Sequence, residues 1–132
     1  MQKILFICHG NICRSPMAEF IFKKMVKDAG LEYEFVIASA ATSREEIGND
    51  VYPPAKRELT RRGVPFERRG ARQVTKEEYK SWDKFICMDG NNLRNIMRIF
   101  GSDPDNKVSV LLDRNVADPW YTDDFAQAFD DI

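Results

Sequence analysis

The chain holds one histidine, His9, and three cysteines, Cys8, Cys13 and Cys87, in 132 residues. Cys8, His9 and Cys13 could be imagined as zinc ligands, but a structural zinc site takes four, and no fourth is suitably spaced. Neither a metal nor any other cofactor is therefore expected. No apolar run approaches 18 residues, so no membrane-spanning helix is expected. No charged-then-apolar leader opens the chain, and few cysteines without an export signal suit a reducing compartment, so a cytoplasmic location is expected. Charge of either sign is not in excess: 20 Lys and Arg against 21 Asp and Glu leave −1. That balance gives no reason to expect nucleic acid or a membrane as partner. Repeats and low-complexity segments are missing too. With 43% hydrophobic and 31% charged residues, the composition is that of an ordinary globular chain. Its length suits a single domain over residues 1–132 with a real core.

Apolar runs alternating with helical patterns are present. The strands predicted are 3–8, 34–38, 84–88 and 108–112. The helices predicted are 15–29, ended by Gly30 as a left-handed cap, 54–62, ended by Gly63, a short one over 76–81, and 91–100. Phe125, Phe129 and Ile132 start a last amphipathic helix. Strand and helix in alternation read as βαβ units and a parallel sheet.

The densest chemistry lies in Cys8-His9-Gly10-Asn11-Ile12-Cys13-Arg14-Ser15, between the first strand and the first helix. The first amides of a helix lack intrahelical partners and carry the positive end of its dipole, so an anion is favoured there. A loop whose amides curl inward adds a nest for the same anion. Gly10 can take a positive φ, and Asn11 tolerates one better than most residues. Arg14 supplies a planar fork for two oxygens of a phosphate. Those cationic groups would also favour a thiolate at Cys8. Ser15 can donate to that sulfur or cap the helix, with Pro16 suited to the first turn. Open α/β sheets bind ligands at the carboxyl ends of their strands, which is where Cys8 falls.

A nucleophile over a phosphate site still needs an acid for the leaving oxygen and a base for water. Asp118, in Asp118-Pro119-Trp120-Tyr121, is one candidate, although Asp-Pro is common in turns and Asp113, Asp123 and Asp124 compete. Trp120 and Tyr121 offer flat walls for an aromatic ring. Cys87 reads as a buried strand residue.

The run C-H-G-N-I-C-R-S-P-M-A-E resembles the signature of the low-molecular-weight protein tyrosine phosphatases. The likeness extends to Ser39-Ala40-Ala41-Thr42-Ser43, Ala71-Arg72-Gln73-Val74-Thr75, Cys87-Met88-Asp89 and the Asp118 motif. It implies an α/β three-layer sandwich with a central four-stranded parallel sheet in the order 2-1-3-4 and helices on both faces. It also implies hydrolysis of tyrosine-phosphorylated proteins and small aryl phosphates through a phosphocysteine, with inorganic phosphate as product. Cys8 is then the nucleophile, and residues His9 to Ser15 bind phosphate with Arg14 as clamp. The resemblance picks Asp118 as general acid and base, gives Trp120 and Tyr121 to the substrate, and makes Cys8 and Cys13 a reversible redox pair.

Two departures stand out. Arg69 occupies a position where the family often has a histidine that helps brace the loop Asn and Ser, and the chain stops at Ile132, where relatives usually continue their last helix. Between Lys56 and Lys76 eight basic residues face two acidic ones, either as a solvated face or as a rim for acidic phosphopeptides. Three rival readings are an arsenate reductase, a protein-arginine phosphatase and a non-catalytic phosphopeptide binder. The first needs two further cysteines where only Cys87 exists. The second carries Thr where Ile12 stands and lacks the paired aromatics.

Overall fold

The computed structural model describes residues 1–132. Its sheet has four parallel strands, β1 (Gln2–Cys8), β2 (Phe35–Ala41), β3 (Lys84–Cys87) and β4 (Val108–Val110), in the order β2-β1-β3-β4. The helices are α1 (Arg14–Asp28), α2 (Pro53–Arg61), α3 (Gly90–Phe100), α4 (Pro119–Thr122) and α5 (Phe125–Asp131). The predicted sheet order is the one observed.

The central strand explains the layering. Side chains alternate along β1, and both of its faces are apolar, as a strand covered on two sides requires. Ile4, Phe6 and Cys8 pack with Ala18 and Val26 of α1 and Ala128 of α5. Leu5 and Ile7 turn the other way, onto Ile96 and Phe100 of α3. A third apolar cluster joins α1 to α2 and α5 through Met17, Phe20, Leu59 and Phe125. No helix is long and apolar enough to cross a membrane.

Helix ends follow the glycines. Gly30 has φ 75°, and the amide of Leu31 donates to the carbonyl of Val26 at 2.7 Å. Gly63, at φ 71°, does the same for α2, with the amide of Val64 on the carbonyl of Leu59 at 2.9 Å. Both are left-handed caps that satisfy otherwise orphaned carbonyls.

Several boundaries differ from the sequence reading. β2 runs three residues past 38, because Ser39, Ala40 and Ala41 continue the register with β1 as far as Cys8 opposite Ala41. Partnering with β1 outweighs their weak strand preference. β4 is an edge strand and stops at Val110, before the expected 112. The short helix near residue 76 is a 3₁₀ turn, Lys76–Lys80, with Thr75 and Glu78 forming a capping box. A second 3₁₀ turn, Glu32–Glu34, and helix α4 were not foreseen. Helix α1 begins at Arg14 with no side-chain cap, so Ser15 lies inside its first turn and does not cap it.

Candidate active site

The loop from Cys8 to Arg14 leaves β1 and turns back into α1. Its positive φ falls on Asn11, at 62°, and not on Gly10. An asparagine tolerates that conformation only at some cost, so the surroundings must hold it. They do so on every polar atom of its side chain. Asn11 Nδ2 donates to Ser15 Oγ at 2.7 Å and to Ser39 Oγ at 2.9 Å. Ser39 Oγ donates in turn to Glu19 Oε1 at 2.6 Å. Arg69 Nη2 donates to the Asn11 carbonyl at 2.6 Å and also to Oδ1, and the Arg72 amide reaches Oδ1 at 3.3 Å. The bracing position that departs from the family pattern is therefore filled by a guanidinium.

This network serves Cys8. The Asn11 amide donates to Cys8 Sγ at 3.2 Å, and Ser15 Oγ lies 3.0 Å from the same sulfur. Cys8 itself is 3% exposed. Arg14, at 2%, is among the most buried large side chains of the protein. Its Nη1 donates to Asp89 Oδ2 at 2.6 Å and to the carbonyl of Val116 at 2.8 Å, while Nη2 faces Asp118 Oδ2 at 3.4 Å. Burial opposes its charge, but Cys8, the hydrogen bond to Asp89 and the carboxylate of Asp118 outweigh burial and raise its pKa. A buried guanidinium with these partners stays charged and fixed in direction.

Asp118 is the N-cap of α4, with Pro119 at its first position. Oδ1 accepts from the Trp120 amide at 3.1 Å, which leaves Oδ2 turned toward Arg14. Trp120 is 51% exposed and Tyr121 81%. The Trp120 ring lies 4.9 Å from that of Tyr52, which also meets Phe125 at 6.0 Å.

One pocket collects these parts. Residues Cys8 to Arg14 line it together with Asp118, Trp120, Tyr121, Glu45 and Glu46. Ser15 does not line it; fully buried, it acts on Cys8 from beneath. Cys13 lies in the same wall, and its thiol is pushed far up by burial, then by the charges of Cys8 and Asp118. No group of three or more His, Cys, Asp or Glu side chains is arranged to hold a metal.

The sequence reading missed four contributors. Asp89 aims Arg14, Ser39 and Glu19 hold Asn11, and Tyr52 backs Trp120. Asp89 carried two signals: it lies in the Cys87-Met88-Asp89 motif of the family likeness, and it precedes a helix, where it closes a capping box with Asn92. The basic stretch lies outside the pocket lining. Lys56, Arg61, Arg62, Arg69 and Arg72 are engaged by neighbours, and none of the eight basic residues lines the pocket.

Residues 3–132 match the family model described as low molecular weight phosphotyrosine protein phosphatase. A human protein of that name is 45% identical over 100 residues, covering 74% of this chain and 61% of the human one. The low molecular weight protein-tyrosine-phosphatase YfkJ of Bacillus subtilis is 35% identical over 134 residues, covering 96% of this chain and 86% of its own. The crystal structure of YfkJ superposes with a TM-score of 0.94 at 34% identity, over 98% of this chain and 86% of that one. A cysteine and a buried arginine on one strand-to-helix loop, under an aspartate from a distant helix cap, thus occur in a chain that belongs to the low molecular weight phosphotyrosine protein phosphatase family.

Proposed function

We propose that this chain, as one domain of 132 residues, hydrolyses phosphotyrosine on proteins and small aryl phosphates through a phosphocysteine. The observation that carries the reading is the convergence of Cys8, Arg14 and Asp118 on one pocket, with Arg14 in contact with Asp118. In the first step the Cys8 thiolate attacks phosphorus. The bond to the phenolic oxygen breaks, and protonated Asp118 gives its proton to that oxygen. In the second step Asp118, now ionised, takes a proton from water, whose oxygen attacks the phosphocysteine and frees inorganic phosphate. Arg14 and the amides from His9 to Arg14 hold the equatorial oxygens in both steps, where positioning and charge stabilisation supply most of the effect. Trp120 and Tyr121 flank the phenyl ring. No metal or other cofactor is drawn upon.

Ile12 and the Trp120–Tyr121 pair favour an aryl substrate over phosphoarginine. Arsenate reduction needs two further thiols close together, and Cys87, buried in β3, is the one cysteine beyond the phosphate loop. That argues against arsenate reduction. Three unpaired cysteines suit a reducing cytoplasm.

Cys8 and Cys13 are the proposed redox pair. Peroxide would oxidise the Cys8 thiolate to a sulfenic acid, and the Cys13 thiol would then displace water from it to leave a disulfide. Mild peroxide should give a Cys8–Cys13 linkage by mass spectrometry; conversion of Cys8 straight to sulfinic acid would exclude the pair.

The main test is hydrolysis of para-nitrophenyl phosphate and a phosphotyrosine peptide by the protein and by Cys8→Ser. Wild type should turn over both, and Cys8→Ser neither. Turnover surviving in Cys8→Ser overturns the nucleophile. Binding of phosphopeptide without any turnover by wild type would make the protein a binder.

A further inference from the structure

The floor and the mouth of the pocket carry opposite charge. Arg14 and the loop amides form a buried positive floor that accommodates a phosphate. Around the mouth the ionisable side chains are three carboxyls, Glu45, Glu46 and Asp118, and one imidazole, His9, and no lysine or arginine other than Arg14 lines the pocket. Glu45 is 69% exposed as a side chain and accepts from, or pairs with, His9 Nε2 at 3.0 Å.

Glu45 and Glu46 are not loosely placed. Ser43 is tied to the loop through its amide and its Oγ, which both donate to the His9 carbonyl, at 3.1 and 2.9 Å. The Glu45 amide donates to Ser43 Oγ at 3.4 Å. Asn49 Nδ2 donates to Glu46 Oε2 at 2.6 Å, and the carbonyl of Glu46 accepts from the Asn49 amide at 2.9 Å. The turn carrying both carboxylates is therefore anchored to the phosphate loop itself. Beyond Tyr121, Asp123 and Asp124 are exposed and have no ion-pair partner, while Arg44 is exposed but does not line the pocket.

We infer that this site selects phosphotyrosine set among basic residues, with Glu45 and Glu46 as the specificity-determining side chains. The inference rests on the phosphatase reading and adds the substrate class to it. A phosphotyrosine long enough to reach Arg14 brings its flanking residues to the mouth. Lysine or arginine there meets carboxylates on a fixed turn. Aspartate or glutamate there meets like charge, and juxtaposed like charge is the repulsive half of specificity. Both carboxylates are at a solvated rim, so the effect is modest per charge and screened by salt.

The experiment uses three phosphotyrosine peptides of one length, flanked on both sides by Arg, by Ala or by Glu. The ratio of kcat/KM between the Arg-flanked and Glu-flanked peptides is read within each protein, and para-nitrophenyl phosphate serves as the uncharged-flank control. At low ionic strength wild type should favour the Arg-flanked peptide over the Glu-flanked one by about three- to tenfold, falling toward unity in 0.5 M salt. Glu45→Lys with Glu46→Lys should invert that ratio, and Glu45→Gln with Glu46→Gln should bring it near unity. A wild-type ratio at or below one, or a ratio that either double variant leaves unchanged, overturns the inference. If wild type hydrolyses none of the substrates, para-nitrophenyl phosphate included, the phosphatase reading fails and this inference with it. If that control is hydrolysed and the peptides are not distinguished, only the inference fails.

Discussion

The loop from Cys8 to Arg14, with Ser15 behind it, and the arm from Asp118 to Tyr121 meet at the same pocket but are held in different ways. In the loop, Asn11, Arg14 and Ser15 are almost wholly buried, and every polar atom of the Asn11 side chain has a protein partner. The arm is a four-residue helix with one buried member, Pro119, held by the Asp118 cap and a tilted contact between the Trp120 and Tyr52 rings. A phosphate receptor must be preorganised, because its dipoles act only if they need not reorient as charge develops. A proton donor beside a departing ring needs reach, and a substrate must enter past it. The stiff and the light construction follow from those two tasks.

The comparison breaks most sharply at Asp118. Asp118→Ala should lower kcat for phosphotyrosine by roughly 10²–10⁴, the range for a lost general acid. The loop amides and the Arg14 contacts to Asp89 and Val116 remain, so inorganic phosphate should still bind as a competitive inhibitor at least as well as to wild type. A variant with full activity would show that another group protonates the leaving oxygen. Arg14→Lys attacks the other side. A lysine keeps the charge but loses the planar fork and cannot span Asp89, Val116 and two phosphate oxygens. Turnover should fall by roughly 10²–10³, as for a lost oxyanion donor. Here phosphate inhibition should weaken in parallel, which separates the two variants.

A stability measurement sharpens the contrast without touching chemistry. Arg69→Met strips Asn11 of its guanidinium partner and leaves a buried carbonyl and an amide oxygen under-satisfied. That should cost about 1–3 kcal/mol of folding stability. Trp120→Ala removes an aromatic side chain that is 51% exposed and should cost far less, while raising KM for aryl phosphates. Equal losses in chemical denaturation would mean the loop is no more tightly built than the arm.

How much of this could be read in the residues divides along the same line. The phosphate loop was legible because its parts are contiguous: strand, eight residues, helix. Sheet order and the apolar faces of β1 followed from alternation and family likeness together. Asp89 and Ser39 were not legible as site residues, since they reach the loop only through the crossovers that bring β2 and β3 to either side of β1, and Glu19, on α1, acts on the loop only through Ser39. Helix α4 was missed although Asp118-Pro119 carries the signal of a cap followed by a first-turn proline; a four-residue helix has too little periodicity to register. Gly10 and Asn11 were both open to a positive φ, and what settles it on Asn11 includes hydrogen bonds to residues far away in sequence, Ser39 and Arg69.

The smallest effect expected concerns how the loop's brace is itself held. Asp50 Oδ1 accepts from the amides of Val51 and Arg69 at 2.7 and 3.2 Å, and Oδ2 accepts from Lys56 Nζ at 2.6 Å. Burial would raise its pKa, but the hydrogen bonds from Lys56, Val51 and Arg69 outweigh burial and lower it to about 2. A carboxylate whose folded pKa is depressed stabilises the fold fully above its unfolded value, near 3.9, and loses that contribution as pH falls through the folded one. Asp50→Asn removes the charge and should melt below wild type at pH 5, with the difference shrinking as pH approaches 2. Because Asp50 holds the backbone of Arg69, the same variant should lose activity less than Arg69→Met does, since the guanidinium still reaches Asn11. A melting difference that stays constant from pH 5 to pH 2 would mean that Asp50 acts there as a hydrogen-bond acceptor whose ionisation is immaterial.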